Sequence, residues 1–194
     1  MAERIPLPQP GDLRDDVAGL LPLIAPEGRE PARTMAILAW QPELFSPFLG
    51  WAAALALHGL LSHREHELLA LRVAWNCRSE FEWAEHVEYA RDAAINDDEI
   101  AAISLAATSL TDGSHAGGSH AWTPREAALL ATADALHGRC DVDTATWVRL
   151  ASQFEVAELV EILFVVGQYT MLSMVANAAR VGVSPGAPSL PERA

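Results

Sequence analysis

Three polar residues that could move protons follow one another along one flank of a predicted helix: Ser79, Glu82 and His86. Their spacing places them on one helix face, where side chains three or four positions apart are neighbours. A carboxylate one turn from an imidazole tends to raise the imidazole pKa. A histidine tuned in this way can take and return a proton near neutral pH. The spacing fits an ordinary surface Glu–His pair equally well.

A second acid, Glu67, lies near the start of the preceding predicted helix. At about 100° per residue, it is about 140° away from Arg72, on the apolar side that also carries Leu71 and Trp75. A carboxylate on that side must have a partner or a raised pKa. Alternatively, Glu67 is an acid that favours the helix dipole and reaches water.

Metal chemistry is weakly supported by the sequence. His63 and His66 flank a helix start, but the segment "HREHE" lacks the i, i+4 histidine pair of a zincin helix. The two cysteines, Cys77 and Cys140, have no metal-type spacing, are too few for a disulfide framework, and are expected to be buried small hydrophobes. We therefore predict no metal site.

Other chemical signals are few. The chain has no glycine-rich phosphate loop and no G-x-S-x-G motif. His115 and His120 lie in a Gly/Ser-rich segment that forms a mobile lid or contains them by chance. Tryptophans are more often core or interface residues than cofactor ligands, but Trp75 and Trp83 are included as candidate substrate-binding residues.

The elements that must position these residues are all helices. No segment alternates like a half-buried strand, and a period of about 3.6 residues recurs along the chain. The fold class is therefore all-α. Helices are predicted at 64–77, 79–95, 141–154 and 155–183, and a short one near Arg14–Ile24. A further helix is predicted across Phe48–Leu60, after a break around Pro42 and Pro47. Two more helices are predicted to begin after caps, one at Asn96 or Asp97 and the other at Thr123.

The chain also contains an internal echo. The segment "REHELLA" (64–70) matches "REAALLA" (125–131), and "DEIAAI" (98–103) resembles "AELVEI" (157–162), at offsets of 61 and 59. Where the first copy has Glu67, the second has Ala128; where the first has His86, the second has Trp147 if no gap intervenes. The polar set belongs to one copy, so the scaffold does not require it.

Length and charge limit the function classes. The 194 residues suffice for one compact domain, and a formal net charge of −13 disfavours nucleic acid and anionic membranes as partners, although not an anionic substrate. No apolar run approaches the roughly 20 residues that span a bilayer, and the N-terminus does not resemble a secretory signal. We expect a soluble cytoplasmic protein.

The segment "ELLALRVAWNCRSEFEWAEHVEYARDAAINDDEIAAI", with its pattern E-L-x-x-L-R-x-A-W…E-W-x-x-H-V, resembles the carboxymuconolactone decarboxylase family, which includes the AhpD-type alkyl hydroperoxidases. The later segment beginning "ATWVRLASQFEV" resembles the second half of longer members. The resemblance implies an all-α AhpD-like helical bundle with two related repeats, assembled as a homo-oligomeric trimer or hexamer. We divide the chain into an N-terminal wrapping segment (1–33), the family domain (34–183) and a disordered tail (184–194).

The AhpD-type branch uses a glutamate, a C-x-x-C pair and a histidine. Carried onto this chain, the glutamate matches Glu67 and the histidine matches His86, whereas the two cysteine positions hold Ser79 and Glu82. Peroxide reduction needs a thiolate and a second thiol that resolves the sulfenic acid. Both are missing at these positions, and Cys77 has no nearby sequence partner.

The resemblance therefore favours the decarboxylase branch, which needs no cofactor and acts on small carboxylated or lactone-like molecules. His86 would be the general acid/base, Glu67 would orient it or relay its proton, Glu82 would be a second acid, and Ser79 would donate a hydrogen bond to the substrate. Two alternatives stay open: an alkyl hydroperoxidase that uses Cys77 unconventionally, and a non-catalytic oligomeric binding protein.

Overall fold

The computed structural model describes residues 3–9, 11–25, 30–104 and 120–192. Within these ranges the regular elements are helices, with no strand, which confirms the predicted all-α fold. The helices are α1 (Asp15–Ala18), α2 (Leu21–Ile24), α3 (Arg33–Leu38), α4 (Pro42–His58), α5 (His63–Asn76), α6 (Glu80–Asp92), α7 (Asp97–Ile103), α8 (Pro124–Arg139), α9 (Thr144–Ala151) and α10 (Val156–Ala179).

The chain divides into two compact units, one of residues 1–59 and 175–182 and the other of residues 60–174 and 183–194. The first unit has a small core around Val17 and Phe45. In this unit the expected break at Pro42 is present, because this proline begins α4. The break expected at Pro47 is wrong: this proline lies inside α4.

The second unit contains every candidate site residue and is built around α5. A capping box starts this helix: the Ser62 hydroxyl accepts the backbone N–H of Glu65, and the Glu65 carboxylate accepts the backbone N–H of Ser62. The residues from Glu67 to Asn76 are all buried, since α5 packs against α6, α7 and α8. Central α5 thus carries Glu67 into the interior.

The internal echo is visible in the structure as two matching helix starts. Thr123 and Glu126 form a capping box on α8 that repeats the one on α5, and Pro124 occupies the first turn as predicted. Asn96 caps α7 through a further capping box. Capping boxes therefore mark the starts of α5, α7 and α8.

Arginines at equivalent positions connect the two copies crosswise. Arg64 of the first copy pairs with Glu126 of the second and with Glu99 of α7. Arg125, which lies 61 positions later, pairs in the same way with Glu65 and with Glu158. The capping glutamate of each copy is thus bound by the arginine of the other.

The second helices of the two copies are not aligned at an offset of 61. Ser79 caps α6 and Asp143 caps α9, which is an offset of 64. Alignment by helix starts therefore places Leu150, which is fully buried, at the position of His86. The sequence comparison matched His86 with Trp147 on the assumption of no gap between the copies. The offset of 64 at the helix starts shows that a gap is needed.

The last helix, α10, is long and apolar enough to cross a membrane by length and composition alone. This corrects the expectation that no apolar run approaches that length. Half of its most apolar window is buried inside the protein. The buried carboxylate of Glu161 in this helix accepts hydrogen bonds from the backbone N–H groups of Leu60 and Leu61, at 2.6 and 3.1 Å. Such burial is typical of a core helix in a soluble protein.

The tail is described as far as residue 192, where Leu190 packs against the core cluster of α5 and α6. The carbonyl oxygen of Pro191 accepts a hydrogen bond from the guanidinium of Arg78 at 2.8 Å. The division of the chain at 33 and 183 stays a prediction.

Candidate active site

The structure brings Glu67 of α5 and His86 of α6 into direct contact. Nδ1 of His86 lies 2.7 Å from Oε2 of Glu67. Both side chains are buried, with 8% and 4% of their surface exposed. Of the two interpretations of Glu67, the partnered carboxylate is therefore correct. When Nδ1–H donates to this carboxylate, Nε2 is the nitrogen left to exchange a proton with a substrate.

Glu82 lies on the other side of the same imidazole. Its Oε2 is 3.9 Å from Nε2 of His86, and its Oε1 is buried without a hydrogen-bond partner among the described residues. Burial raises the pKa of Glu82 to about 7, although His86 opposes the shift. Glu82 is therefore a carboxyl group that can hold a proton near neutral pH.

The charge of His86 follows from its neighbours. Burial lowers the pKa of the imidazole, but the negative charge of Glu67, the hydrogen bond that Nδ1–H donates to Glu67 and the charges of Glu82 and Glu85 outweigh burial. The net result is a raised pKa. The site thus favours an imidazolium that can act as an acid near neutral pH.

A tyrosine of the second copy completes the surroundings of His86. The ring of Tyr169 meets the imidazole edge to face, with centroids 4.5 Å apart and planes at 82°. Its hydroxyl lies 2.8 Å from Nε2 of His66. Tyr169 was not predicted from the sequence. The available signal was a lone tyrosine in the largely apolar run "FVVGQYTMLSMV".

His63 connects this group with the surface. Its Nε2 lies 3.7 Å from Oε1 of Glu67, and 58% of its side chain is exposed. His63 and His66, which the sequence offered only as weak metal candidates, therefore both belong to the surroundings of Glu67 and His86.

The remaining predicted site residues have evident structural roles. Ser79 is fully buried and caps α6, and its hydroxyl oxygen accepts the backbone N–H of Glu82 at 3.4 Å. Trp75 and Trp83 lie in the hydrophobic core cluster of α5 and α6. Substrate contacts by these three residues stay a prediction.

The cysteines lie elsewhere. Sγ of Cys77 is 3.8 Å from Nδ1 of His137, and burial raises the pKa of this thiol. Cys140 ends α8 and is exposed, so its predicted burial is wrong. A raised pKa at Cys77 is the opposite of the activation that the attacking thiol of peroxide reduction requires.

Of the two loop histidines, His115 lies outside the described residues. His120 packs edge to face on Trp122, and its Nε2 is 3.3 Å from the Glu99 carboxylate. These contacts belong to the crosswise ion pairs rather than to the surroundings of His86.

Three solved structures share this fold. An uncharacterized peroxidase-related protein from Silicibacter sp. TM1040 is 17% identical, with a TM-score of 0.76 over 94% of this chain and 91% of that one. A peroxidase-related AhpD-core protein from Ralstonia eutropha JMP134 is 18% identical, with a TM-score of 0.75 over 94% and 93%. A protein of unknown function from Agrobacterium tumefaciens, which bears the name of the antioxidant defence protein AhpD, is 21% identical, with a TM-score of 0.64 over 76% and 94%.

These similarities confirm the AhpD-like fold. No curated protein shows significant sequence similarity to the chain. Residues 42–135, which include Glu67, Glu82 and His86, match the model of the carboxymuconolactone decarboxylase family. The resemblance found in the sequence is thereby confirmed: this segment matches the carboxymuconolactone decarboxylase family, and the fold of the chain is AhpD-like.

Proposed function

We propose that this protein is a cofactor-independent lyase that decarboxylates, or isomerises by proton transfer, a small carboxylated or lactone-like substrate. The family match supports a function of the decarboxylase/AhpD type broadly, and the family is generally enzymatic. The observation that carries the finer proposal is the buried line of Glu67, His86 and Glu82, in which one imidazole lies between two carboxyl groups.

The chemistry follows from the protonation states of that line. The carbon–carbon bond to the substrate carboxylate breaks, carbon dioxide leaves, and the electron pair enters a conjugated enolate. The proton on Nε2 of His86 then passes to the substrate carbon. Glu67 holds Nδ1–H and stabilises the imidazolium before this transfer. A proton from solvent restores His86, so the reaction consumes one proton for each carbon dioxide released.

Glu82 supports the same step from the other side. Because its pKa lies near 7, it can carry a proton beside Nε2 at neutral pH. In that protonated state it adds no second negative charge against a carboxylate substrate. Ser79, at the start of the same helix, would donate a hydrogen bond to the substrate.

A second candidate function is peroxide reduction, which the peroxidase-related names of the structural neighbours suggest. It would require Cys77 as the attacking thiol. The raised pKa of this thiol and the absence of a cysteine at positions 79 and 82 make it the weaker proposal. A non-catalytic binding role is the third. Cytoplasmic location and a homo-oligomer complete the proposal.

The test is a panel of unsaturated lactone acids and β-keto acids, with carbon dioxide release as the readout. Wild type should turn over at least one member. His86→Gln should lose at least about 100-fold in kcat while its circular dichroism is unchanged, since general acid catalysis contributes about that much or more. His137→Gln, a histidine outside the site, is the matched control and should keep full activity.

Three results would contradict the proposal. Turnover that survives in His86→Gln would remove the general acid. Peroxide turnover in wild type that is lost in Cys77→Ser would instead support the hydroperoxidase. A wild type that turns over no substrate, and in which Glu67 and His86 accept apolar replacements while the assembly stays intact, would favour the binding role.

A further inference from the structure

Among the described residues, one hydrogen bond holds the ring of His86. Nδ1 is held by Glu67 at 2.7 Å, whereas the 3.9 Å between Nε2 and Glu82 is too long for a hydrogen bond. A single hydrogen bond lets the ring tilt about its axis. Proton transfer to a substrate carbon requires a fixed direction for Nε2–H. Some other contact must therefore fix the plane of the ring.

Tyr169 makes that contact. Its ring lies 4.5 Å from the imidazole at an angle of 82°, the edge-to-face arrangement that aromatic pairs prefer. Tyr169 is itself buried. A tilt of the imidazole would have to displace this ring.

Tyr169 is in turn held by α5. Its hydroxyl lies 2.8 Å from Nε2 of His66, the residue directly before Glu67. Burial raises the pKa of the Tyr169 phenol well above its ordinary value, and the charges of Glu67 and Glu82 act in the same direction. Burial also lowers the pKa of His66, a shift that the charges of Glu67 and Glu161 oppose. A neutral imidazole can accept the proton of a neutral phenol.

We propose that Tyr169, anchored by His66, is the positioning residue that fixes the plane of the His86 imidazole. This inference rests on the proposed function, because it assigns the pair a role in directing the proton of His86. In this arrangement the first copy supplies the acid and base residues and α10 of the second copy orients them. Two neighbouring residues of α5 then hold the two rings: Glu67 holds His86, and His66 holds Tyr169.

The test is an NMR titration of the side-chain nitrogens of His86, which needs no substrate. In Tyr169→Leu the imidazole loosens from Glu67, and we expect its pKa to fall by about 0.5 to 1 toward the ordinary value. Tyr169→Phe keeps the ring and loses the anchor, so a smaller fall is expected. His66→Leu should match Tyr169→Phe. The double variant should lower the pKa of His86 no further than either single variant does, because both changes break the same interaction.

The matched control is Tyr89→Leu. The Tyr89 ring also approaches His86, at 5.5 Å with a tilt of 56°, but it lies on α6 itself and is partly exposed. Its removal should leave the titration of His86 nearly unchanged. A shift as large as in Tyr169→Leu would overturn the inference, as would an unchanged titration in a folded Tyr169→Leu. If that variant does not fold, additive effects of Tyr169→Phe and His66→Leu overturn it instead.

Activity separates this inference from the proposed function. Tyr169→Leu should lower kcat about 10-fold with little change in KM, since a misdirected proton affects the chemical step. If His86→Gln abolishes turnover while the Tyr169 variants leave the titration unchanged, only the positioning role fails. If the titration moves as expected but His86→Gln stays active, only the lyase proposal fails.

Discussion

Glu82 is a buried carboxyl group, and one of its oxygens has no hydrogen-bond partner within the part of the chain that the structure describes. An apolar residue at this position would not incur a desolvation cost. The folded pKa of Glu82 is about 7 and lies above the ordinary value of 4.5. The native state therefore binds this proton more tightly than the unfolded state does. Stability must then decrease as the pH rises through that interval.

Glu82→Gln removes the free-energy cost of ionising this buried carboxyl group. At pH 8 we expect its free energy of unfolding to exceed that of wild type by up to about 3 kcal/mol, because each pKa unit corresponds to about 1.4 kcal/mol. At pH 4, where the carboxyl is protonated in both states, the difference should be small. Urea unfolding at the two pH values measures it, with the exposed Glu80→Gln as control. An equal change at both pH values would contradict the assignment.

Glu67 sets the pH range in which His86 acts as an acid. The folded pKa of His86 is raised mainly by the charge of Glu67 and its hydrogen bond, against the effect of burial. In wild type kcat/KM should decline as the pH rises through that raised value. Glu67→Gln removes the charge, so we expect this decline to move to lower pH. A pH–rate profile measures the shift, and an unmoved profile would show that Glu67 does not control His86.

The sequence was sufficient to single out Glu67, Glu82 and His86, which the structure brings together, but not their neighbours. Spacing on one helix grouped Glu82 with His86, and apolar-side placement singled out Glu67. Tyr169 lies on a helix about 80 residues later in the chain, and only the packing of α10 brings it to the site. Arg72, from which helical spacing placed Glu67 on the opposite, apolar side, is itself buried and pairs with Asp134 of α8. The periodicity of a single helix cannot predict contacts between residues that are distant in the sequence.

Helix starts were more predictable than helix ends. The caps at Thr123 and Asn96 are local patterns and were found. The predicted second helix reached residue 95, but α6 ends at Asp92, and Ala94 adopts a left-handed conformation with φ of 59°. Its carbonyl oxygen accepts a hydrogen bond from Arg64 at 3.0 Å. The end of α6 therefore coincides with a tertiary contact, where a sequence signal such as glycine is lacking.

The crosswise arginines make the helix starts of the two copies depend on each other. Arg64→Met should lower the free energy of unfolding by about 1 to 2 kcal/mol, between the values for exposed and buried ion pairs. Arg125→Met should have an effect at least as large, because its ion pairs are equivalent and its guanidinium also lies over the Phe154 ring, 3.7 Å from the centroid. Chemical denaturation measures both changes.

The control is Arg91→Met, since Arg91 pairs with Asp97 in an exposed contact. The free energy of unfolding of Arg91→Met should stay within about 0.5 kcal/mol of the wild-type value. Equal small effects in all three variants would show that the crosswise contacts do not stabilise the fold.

For the molecule as a whole, α10 presents an exposed apolar stripe. Its members recur at helical spacing: Val156, Val160, Leu163, Met171 and Met174. Large exposed apolar patches mark association surfaces. Because the stripe is apolar, the proposed partner is a second copy that covers it. The net charge of −13 opposes this self-association at low ionic strength.

Val160→Glu should reduce the molar mass measured by light scattering, because it places a carboxylate in the centre of the stripe. Val148→Glu, an exposed apolar position on α9, is the matched control and should leave the mass unchanged. Added salt should favour the wild-type oligomer by screening the repulsion between acidic surfaces. A wild-type mass equal to that of one chain would contradict the proposal.

The exchange of capping partners between Arg64 and Arg125 also bears on how such a chain can evolve. Deletion of either copy would leave the arginine of the survivor with only the glutamate of its own copy, and would leave the survivor's capping glutamate without its arginine. The second copy nevertheless carries Ala128 and Leu150 where the first has Glu67 and His86. The interdependence of the helix starts therefore does not require the same side chains at the candidate site, and the second copy contributes Tyr169 there instead.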